Sequence, residues 1–286
     1  MVKLKLGYSV GLPLNYKEEV PEYITDNIKL IKSLSVKFKY IQIMLTKSKL
    51  SLEEIKQIKS IIKDYEEIYV HASYQINMGA DLIPSESDLY NTGIEIFLNE
   101  ISLSKKINAK GIVVHLGKNV KNSYDPIHIY NNMVKFIIEL FKKLRSKKIK
   151  LDILLETPAG QGGEMCWNLN EFVEFITKFK SLPFYSQLCV CIDTCHIFQA
   201  GYDLNNSKII KKVHNIFEPI KDKIKLIHLN DSYHQVGARI DRHEQIGQGQ
   251  IQTDKLIEFI FPYKHSPMIL ETVGPYDEQI NNLTKS

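Results

Sequence analysis

What most constrains this chain is an eightfold alternation of short apolar runs with longer stretches of helical periodicity. The runs are LKLGYSV, YIQIML, EIYVHAS, GIVVHLG, LDILLET, LCVCIDT, KIKLIHLND and PMILET. They are rich in Ile, Val and Leu and are six to nine residues long, as strands of a covered sheet can be. Between them, apolar residues recur at three- and four-residue spacing. SLEEIKQIKSIIKDY opens with a capping box, Ser51 and Glu54. DPIHIYNNMVKFIIELFKKLR carries Pro126 in its first turn and basic residues in its last. NLNEFVEFITKF and TDKLIEFIF are shorter helices opened by Asn or Thr.

Strand and helix in strict alternation imply parallel strands covered by helices. Eight such units predict an α/β fold, a closed (β/α)8 TIM barrel. An open doubly wound sheet is the alternative. The 286 residues contain no linker-like segment, charge block or repeat that would divide them, so residues 1–286 read as one domain. The short tail VGPYDEQINNLTKS predicts a curtailed or frayed last helix.

Bulk properties exclude several classes. Hydrophobic residues make up 44% and charged residues 24%, as in ordinary globular proteins, and no apolar run approaches the ~20 residues of a membrane helix. MVKLKLGYSV reads as a strand with alternating Lys rather than a secretory segment. These features predict a soluble intracellular monomer, in cytoplasm, nucleus or virion. A net charge of +4 permits a polyanionic partner without requiring one. The four cysteines include CVCIDTC, whose spacing matches no usual zinc finger. Cys189 and Cys191 alternate within an apolar run and read as buried structural thiols.

In a parallel barrel, chemistry gathers at the C-terminal strand ends. There the third run delivers His71, the fourth His115, the fifth Glu156 and the sixth Asp193, with His196 three residues on. The seventh delivers His228, and its loop carries Asp241 and His243; the eighth delivers Glu271. Singly, each would pass as a satisfied polar residue. Together, five imidazoles and four carboxylates share one rim in a chain where 34 of 37 basic residues are Lys. Buried acids without Arg partners require positive charge from elsewhere, and divalent cations supply it. Nine N and O donors exceed what one four-coordinate ion needs and suit three, with a bridging carboxylate. An imidazole-rich donor set favours Zn2+, with Mn2+ or Fe2+ as the alternative at one position. Three divalent ions against four carboxylates leave a charge of about +2, which attracts an anion such as a phosphodiester.

The blocks HASYQINMG, VVHLG, LLETPAGQGGEM, CIDTCHIFQAGYDL, HLNDSYHQVGARIDRHEQIGQGQI and ILET resemble the endonuclease IV family of apurinic/apyrimidinic (AP) endonucleases. The resemblance runs from the third strand to the eighth and fills all nine donor positions. It implies a trinuclear zinc site: His71, His115 and bridging Glu156 on one ion; Glu156, Asp193, His228 and Glu271 on the second; His196, Asp241 and His243 on the third. Glu156 and Glu271 would be the catalytic carboxylates. It implies DNA base-excision repair: hydrolysis of the phosphodiester 5′ to an abasic site in double-stranded DNA, giving a 3′-hydroxyl and a 5′-deoxyribose phosphate, and trimming of blocked 3′ ends.

DNA contacts carry over to Tyr74 and Gln75, inserted beside the extruded nucleotide, and to Arg242 and Arg239 on phosphate. In the loop after the second run, LTKSKLS offers Lys47 and Lys49 where the family uses Asn, Gln or Arg. AGQGG and GQGQ lack the P-loop pattern and read as tight rim loops. His128, His214, His234 and His265 read as surface residues. Two rivals share parts of this pattern. A sugar isomerase or epimerase would not need the Asp241–His243 pair, and a non-catalytic DNA-damage binder would not keep every donor.

Overall fold

The computed structural model describes residues 4–10, 20–32, 38–45, 50–80, 87–120, 125–272 and 274–285. Eight strands close into a parallel barrel: β1 (Leu6–Val10), β2 (Tyr40–Met44), β3 (Glu67–His71), β4 (Gly111–Val114), β5 (Asp152–Glu156), β6 (Leu188–Asp193), β7 (Ile224–His228) and a final strand (Met268–Leu270). Two further short strands, β8 (Asp231–Ser232) and β9 (His243–Glu244), form an antiparallel ribbon above the rim. The final stave is therefore β10, and it pairs with both β7 and β1. The alternation thus closes on itself, as expected, rather than forming an open sheet.

Closure gives every strand two buried faces. Inside, Tyr40, Tyr69, Val113, Leu154, Cys189, Cys191, Leu226 and Ile269 fill the barrel's lower layer. Outside, Ile41, Val70, Ile112, Ile153, Val190, Ile192 and Ile227 meet the surrounding helices. Each such side chain fully buried is worth about 1.5–3 kcal/mol. The two cysteines of β6 are accordingly buried and unpaired in the barrel lining.

The helices follow their sequence signals. In α2 (Leu52–Ile62), Ser51 and Glu54 form the reciprocal cap and Ile55, Ile58 and Ile62 are buried. In α4 (Pro126–Ser146), Asp125 caps the first turn and a stripe from Ile129 to Leu144 is buried. In α5 (Leu169–Thr177), Asn168 accepts the Asn170 N–H. α1 (Val20–Lys32), α3 (Ser87–Lys106), α6 (Thr194–Gln199), α7 (Ser207–Phe217) and α8 (Thr253–Ile260) complete the outer layer up to the last strand.

The C-terminal helix corrects an expectation. α9 (Tyr276–Lys285) is a ten-residue helix, and it is docked rather than frayed. Tyr276, Gln279 and Leu283 are buried at three- and four-residue spacing, and Asn282 Nδ2 donates to the Ile246 carbonyl. Tertiary contact holds a segment whose own composition is too polar to signal a stable helix. His214 is also not a plain surface residue: its Nε2 lies 2.9 Å from the Phe259 carbonyl and its ring stacks on Phe259.

Among the described residues no helix is long and apolar enough to cross a membrane.

Candidate metal centre

Strand register places the polar ends side by side. Glu156 on β5 faces Cys191 on β6, Asp193 on β6 faces His228 on β7, and His228 faces Ile269 on β10, two residues before Glu271. His71 ends β3, and His115 follows β4 directly. Asp193 caps α6: its Oδ1 accepts the His196 N–H at 2.8 Å, which aims the His196 ring back over the barrel. The β8–β9 ribbon carries Asp241 and His243 to the same spot, with Ser232 paired to His243.

All nine expected donors converge. Their atoms form three groups, each with mutual separations within 4.8 Å: His71, His115 and Glu156; Glu156, Asp193, His228 and Glu271; and Asp193, His196 and His243. Asp241 Oδ1 joins the third group, 3.0 Å from His196 Nε2 and 3.2 Å from His243 Nε2. The grouping differs from the expected partition in one respect. Asp193, like Glu156, faces two groups, because its Oδ2 lies 3.5 Å from His243 Nε2 and 3.8 Å from His228 Nδ1.

Burial and charge explain the electrostatics. Burial alone would raise the Glu156 carboxyl, but His115 and His228 outweigh it and hold Glu156 well below the usual carboxylate range. Burial raises Asp193. Burial would lower His196 and His228, yet facing carboxylates and, for His228, the Cys191 thiol push both well above the ordinary imidazole value. His243 rises to about 9, burial being overcome by Asp193, Asp241 and Glu271. Burial prevails at His115, which is lowered. Four crowded carboxylates thus demand positive charge, which protons or metal ions can supply.

A divalent ion fits these donors. Three buried atoms, Glu156 Oε2, His196 Nε2 and His243 Nε2, make no hydrogen bond although oppositely charged groups lie nearby. Tautomers are fixed from behind: His71 Nδ1 meets the Ala72 carbonyl at 2.8 Å, and His196 Nδ1 meets the Thr157 carbonyl at 2.9 Å. Each bond leaves Nε2 facing the centre, the arrangement in which an imidazole binds metal.

Two residues that brace the centre escaped the sequence reading. Asn230 Nδ2 donates to Asp193 Oδ2 at 2.7 Å and to Glu271 Oε2 at 3.1 Å. Gln42, wholly buried on β2, contacts Glu271 and His228. Their signal was an amide within or at the end of an apolar run, Gln42 inside YIQIM and Asn230 closing LIHLN. Asp231 acts further out, its carboxylate accepting the N–H groups of Ser232, Gly247, Gly249 and Ile251 at 2.7–3.1 Å and fastening the ribbon. Gly249 lies so close that a Cβ there would sit 2.4 Å from the Ser232 carbonyl.

Rim residues surround the opening. Tyr74 is 66% exposed, its ring centroid 5.3 Å from that of His71 and 5.4 Å from that of His115. Gln75 is exposed beside it. Glu100 Oε2 accepts the Ser73 N–H of this loop, and burial pushes its carboxyl up to about 7. The Arg242 guanidinium lies 4.5 Å above the Tyr233 ring, and that of Arg239 lies 3.7 Å above the Trp167 ring. Arg239 takes a left-handed φ of 55°, rare for a residue with a Cβ. Lys47 and Lys49 lie outside the described residues.

A closed parallel barrel with imidazoles and carboxylates at its C-terminal mouth defines a xylose isomerase-like TIM barrel, and the family model of that description matches residues 29–285. Within that class the chain belongs to the endonuclease IV family of AP endonucleases. It is 35% identical over 246 residues to "Probable endonuclease 4" of Mesoplasma florum, covering 82% of this chain and 78% of the relative. It is 37% identical over 216 residues to "Probable endonuclease 4" of Bacillus subtilis, covering 74% and 67%. The fold is shared with endonuclease IV from Thermus thermophilus (TM-score 0.69, 22% identity, 97% and 96% covered). It is shared equally with a D-tagatose 3-epimerase-like protein (TM-score 0.72, 19% identity, 99% of each chain covered). At such identities the two structures speak for the barrel alone.

Proposed function

We propose that this protein is a zinc-dependent AP endonuclease of DNA base-excision repair. It acts as a monomer on double-stranded DNA, hydrolysing the phosphodiester 5′ to an abasic site to leave a 3′-hydroxyl and a 5′-deoxyribose phosphate, and it trims blocked 3′ ends. The observation that carries this reading is the convergence of eight N and O donor residues in three adjoining groups, with Glu156 and Asp193 each common to two and Asp241 beside the third. Zinc, or Mn2+ or Fe2+ at one position, would supply Lewis-acid charge on the phosphate and water activation near neutral pH.

The chain's own residues do the remainder. His71, His115 and Glu156 would hold one ion; Glu156, Asp193, His228 and Glu271 the second; and His196, Asp241 and His243 the third, with Asp193 close behind. Glu156, common to two of the groups, and Glu271, 3.1 Å from His228 Nδ1 in the second, are the carboxylates we assign to catalysis. Arg242 and Arg239, over the rings of Tyr233 and Trp167, would take phosphate oxygens. Tyr74 and Gln75 stand at the mouth to fill the space beside an extruded nucleotide. Extrusion costs little at an abasic site because no base must unstack, so the lesion itself contributes selectivity.

The barrel is equally that of sugar epimerases, but a single-ion sugar site leaves Asp241 and His243 without a role. The deciding experiment offers the zinc-loaded protein a duplex with one tetrahydrofuran abasic analogue. Nicking on its 5′ side is expected, with Glu271→Ala abolishing cleavage while sparing most DNA affinity. An intact duplex, or undiminished cleavage by the variant, would defeat the assignment.

A further inference from the structure

Every barrel strand reaches the centre, but β1 and β2 bring no metal donor among the described residues. β2 brings Gln42, which is fully buried two residues beyond Tyr40, on the strand face that lines the barrel. Its Nε2 donates to Glu271 Oε1 at 2.7 Å and to Ser9 Oγ on β1 at 3.2 Å. Its Oε1 lies 2.9 Å from His228 Nε2.

We infer that Gln42 is a positioning residue that sets which nitrogen of His228, and which oxygen of Glu271, faces the metal centre. The inference rests on reading this site as a metal centre. It follows from donor and acceptor types. Glu271 presents only acceptors, so the NH2 end of Gln42 must face it. The amide oxygen then faces His228, and Nε2, 2.9 Å from that acceptor, carries the hydrogen. Nδ1 is left pointing inward, 2.7 Å from Glu156 Oε1 and 3.1 Å from Glu271 Oε2. That is the opposite choice from His71 and His196, which present Nε2.

The same amide anchors Glu271 through Oε1, and Asn230 contacts Oε2, so the carboxylate cannot rotate. Flipping the amide would set its oxygen against the carboxylate and its NH2 against an N–H. A Leu or Met of similar size would fill the volume and do none of this.

The test compares the full-length parent, Gln42→Met and Gln42→Glu by zinc per chain after dialysis against graded chelator. The His228 tautomer is read from imidazole 15N shifts of the zinc-loaded proteins. The parent is expected to show His228 with hydrogen on Nε2. Gln42→Met is expected to lose one ion at chelator levels the parent withstands, its affinity falling about 10–100-fold. Gln42→Glu restores an acceptor for His228 and is expected to keep the parent tautomer. Equal zinc retention and an unchanged His228 pattern in Gln42→Met would overturn the inference. Should Gln42→Met fail to fold, the parent spectrum still decides, because a hydrogen on His228 Nδ1 refutes it. Cleavage is not a readout, so a zinc-loaded parent that fails to nick abasic DNA would sink the endonuclease reading alone.

Discussion

Removing the metal should invert the pH dependence of stability. In the metal-free protein, His243 is about one-fifth exposed and its pKa is raised from 6.5 to about 9: burial opposes the proton, but Asp193, Asp241 and Glu271 together favour it. A folded-state pKa above the unfolded value gives stability that is complete below pH 6.5 and lost as pH climbs through 9. The difference is worth about 3 kcal/mol. For a chain of this size about 2 °C of melting temperature accompanies each kcal/mol, giving a fall of about 6 °C between pH 6.5 and 9. His196 and His228, also raised, act in the same direction. Zinc bound at these donors would reverse the sign. Its imidazole ligands must be deprotonated, so affinity, and with it the stability conferred by binding, grows over the same window. Circular-dichroism melts of chelator-stripped and zinc-saturated protein should therefore diverge with rising pH, and His243→Asn should flatten the metal-free curve. A metal-free melting temperature that is level or rising from pH 6.5 to 9 would refute the reasoning, as would two curves falling in parallel.

Other consequences are simpler to check. Gly249→Ala pushes a methyl into the Ser232 carbonyl and the Asp231 carboxylate, 2.4 and 2.5 Å away, and should destabilise by about 1–3 kcal/mol in urea unfolding. Trp167→Leu frees Arg239 and should weaken binding to abasic duplex by about two- to fivefold in fluorescence anisotropy. Its salt slope should stay unchanged because no charge is lost; a steeper or shallower slope would mean that the stack does more than orient Arg239. Burial pushes the Cys189 and Cys191 thiols up to about 12, so thiol reagents should label neither until the protein unfolds, and rapid labelling of folded protein would contradict their place in the barrel lining.

Much of this molecule could be read along the chain. Hydrophobic alternation determines eight strands and their covering helices because strand and helix periods are local properties. Parallel pairing then fixes which end of each strand collects the chemistry, so His71, Glu156, Asp193 and His228 were recognisable as strand-end residues. Asp241 and His243 were recognisable from their two-residue spacing. Only the tertiary structure decided the rest. Gln42 and Glu271 lie 229 positions apart, and nothing in either local pattern predicts that one amide will orient the other's carboxylate. That Asp193 faces two donor groups, and that α9 docks rather than frays, likewise depends on neighbours remote in sequence. A side chain's partner is set by barrel closure and strand register, which are properties of the whole chain, whereas its residue type and strand-end position are written locally.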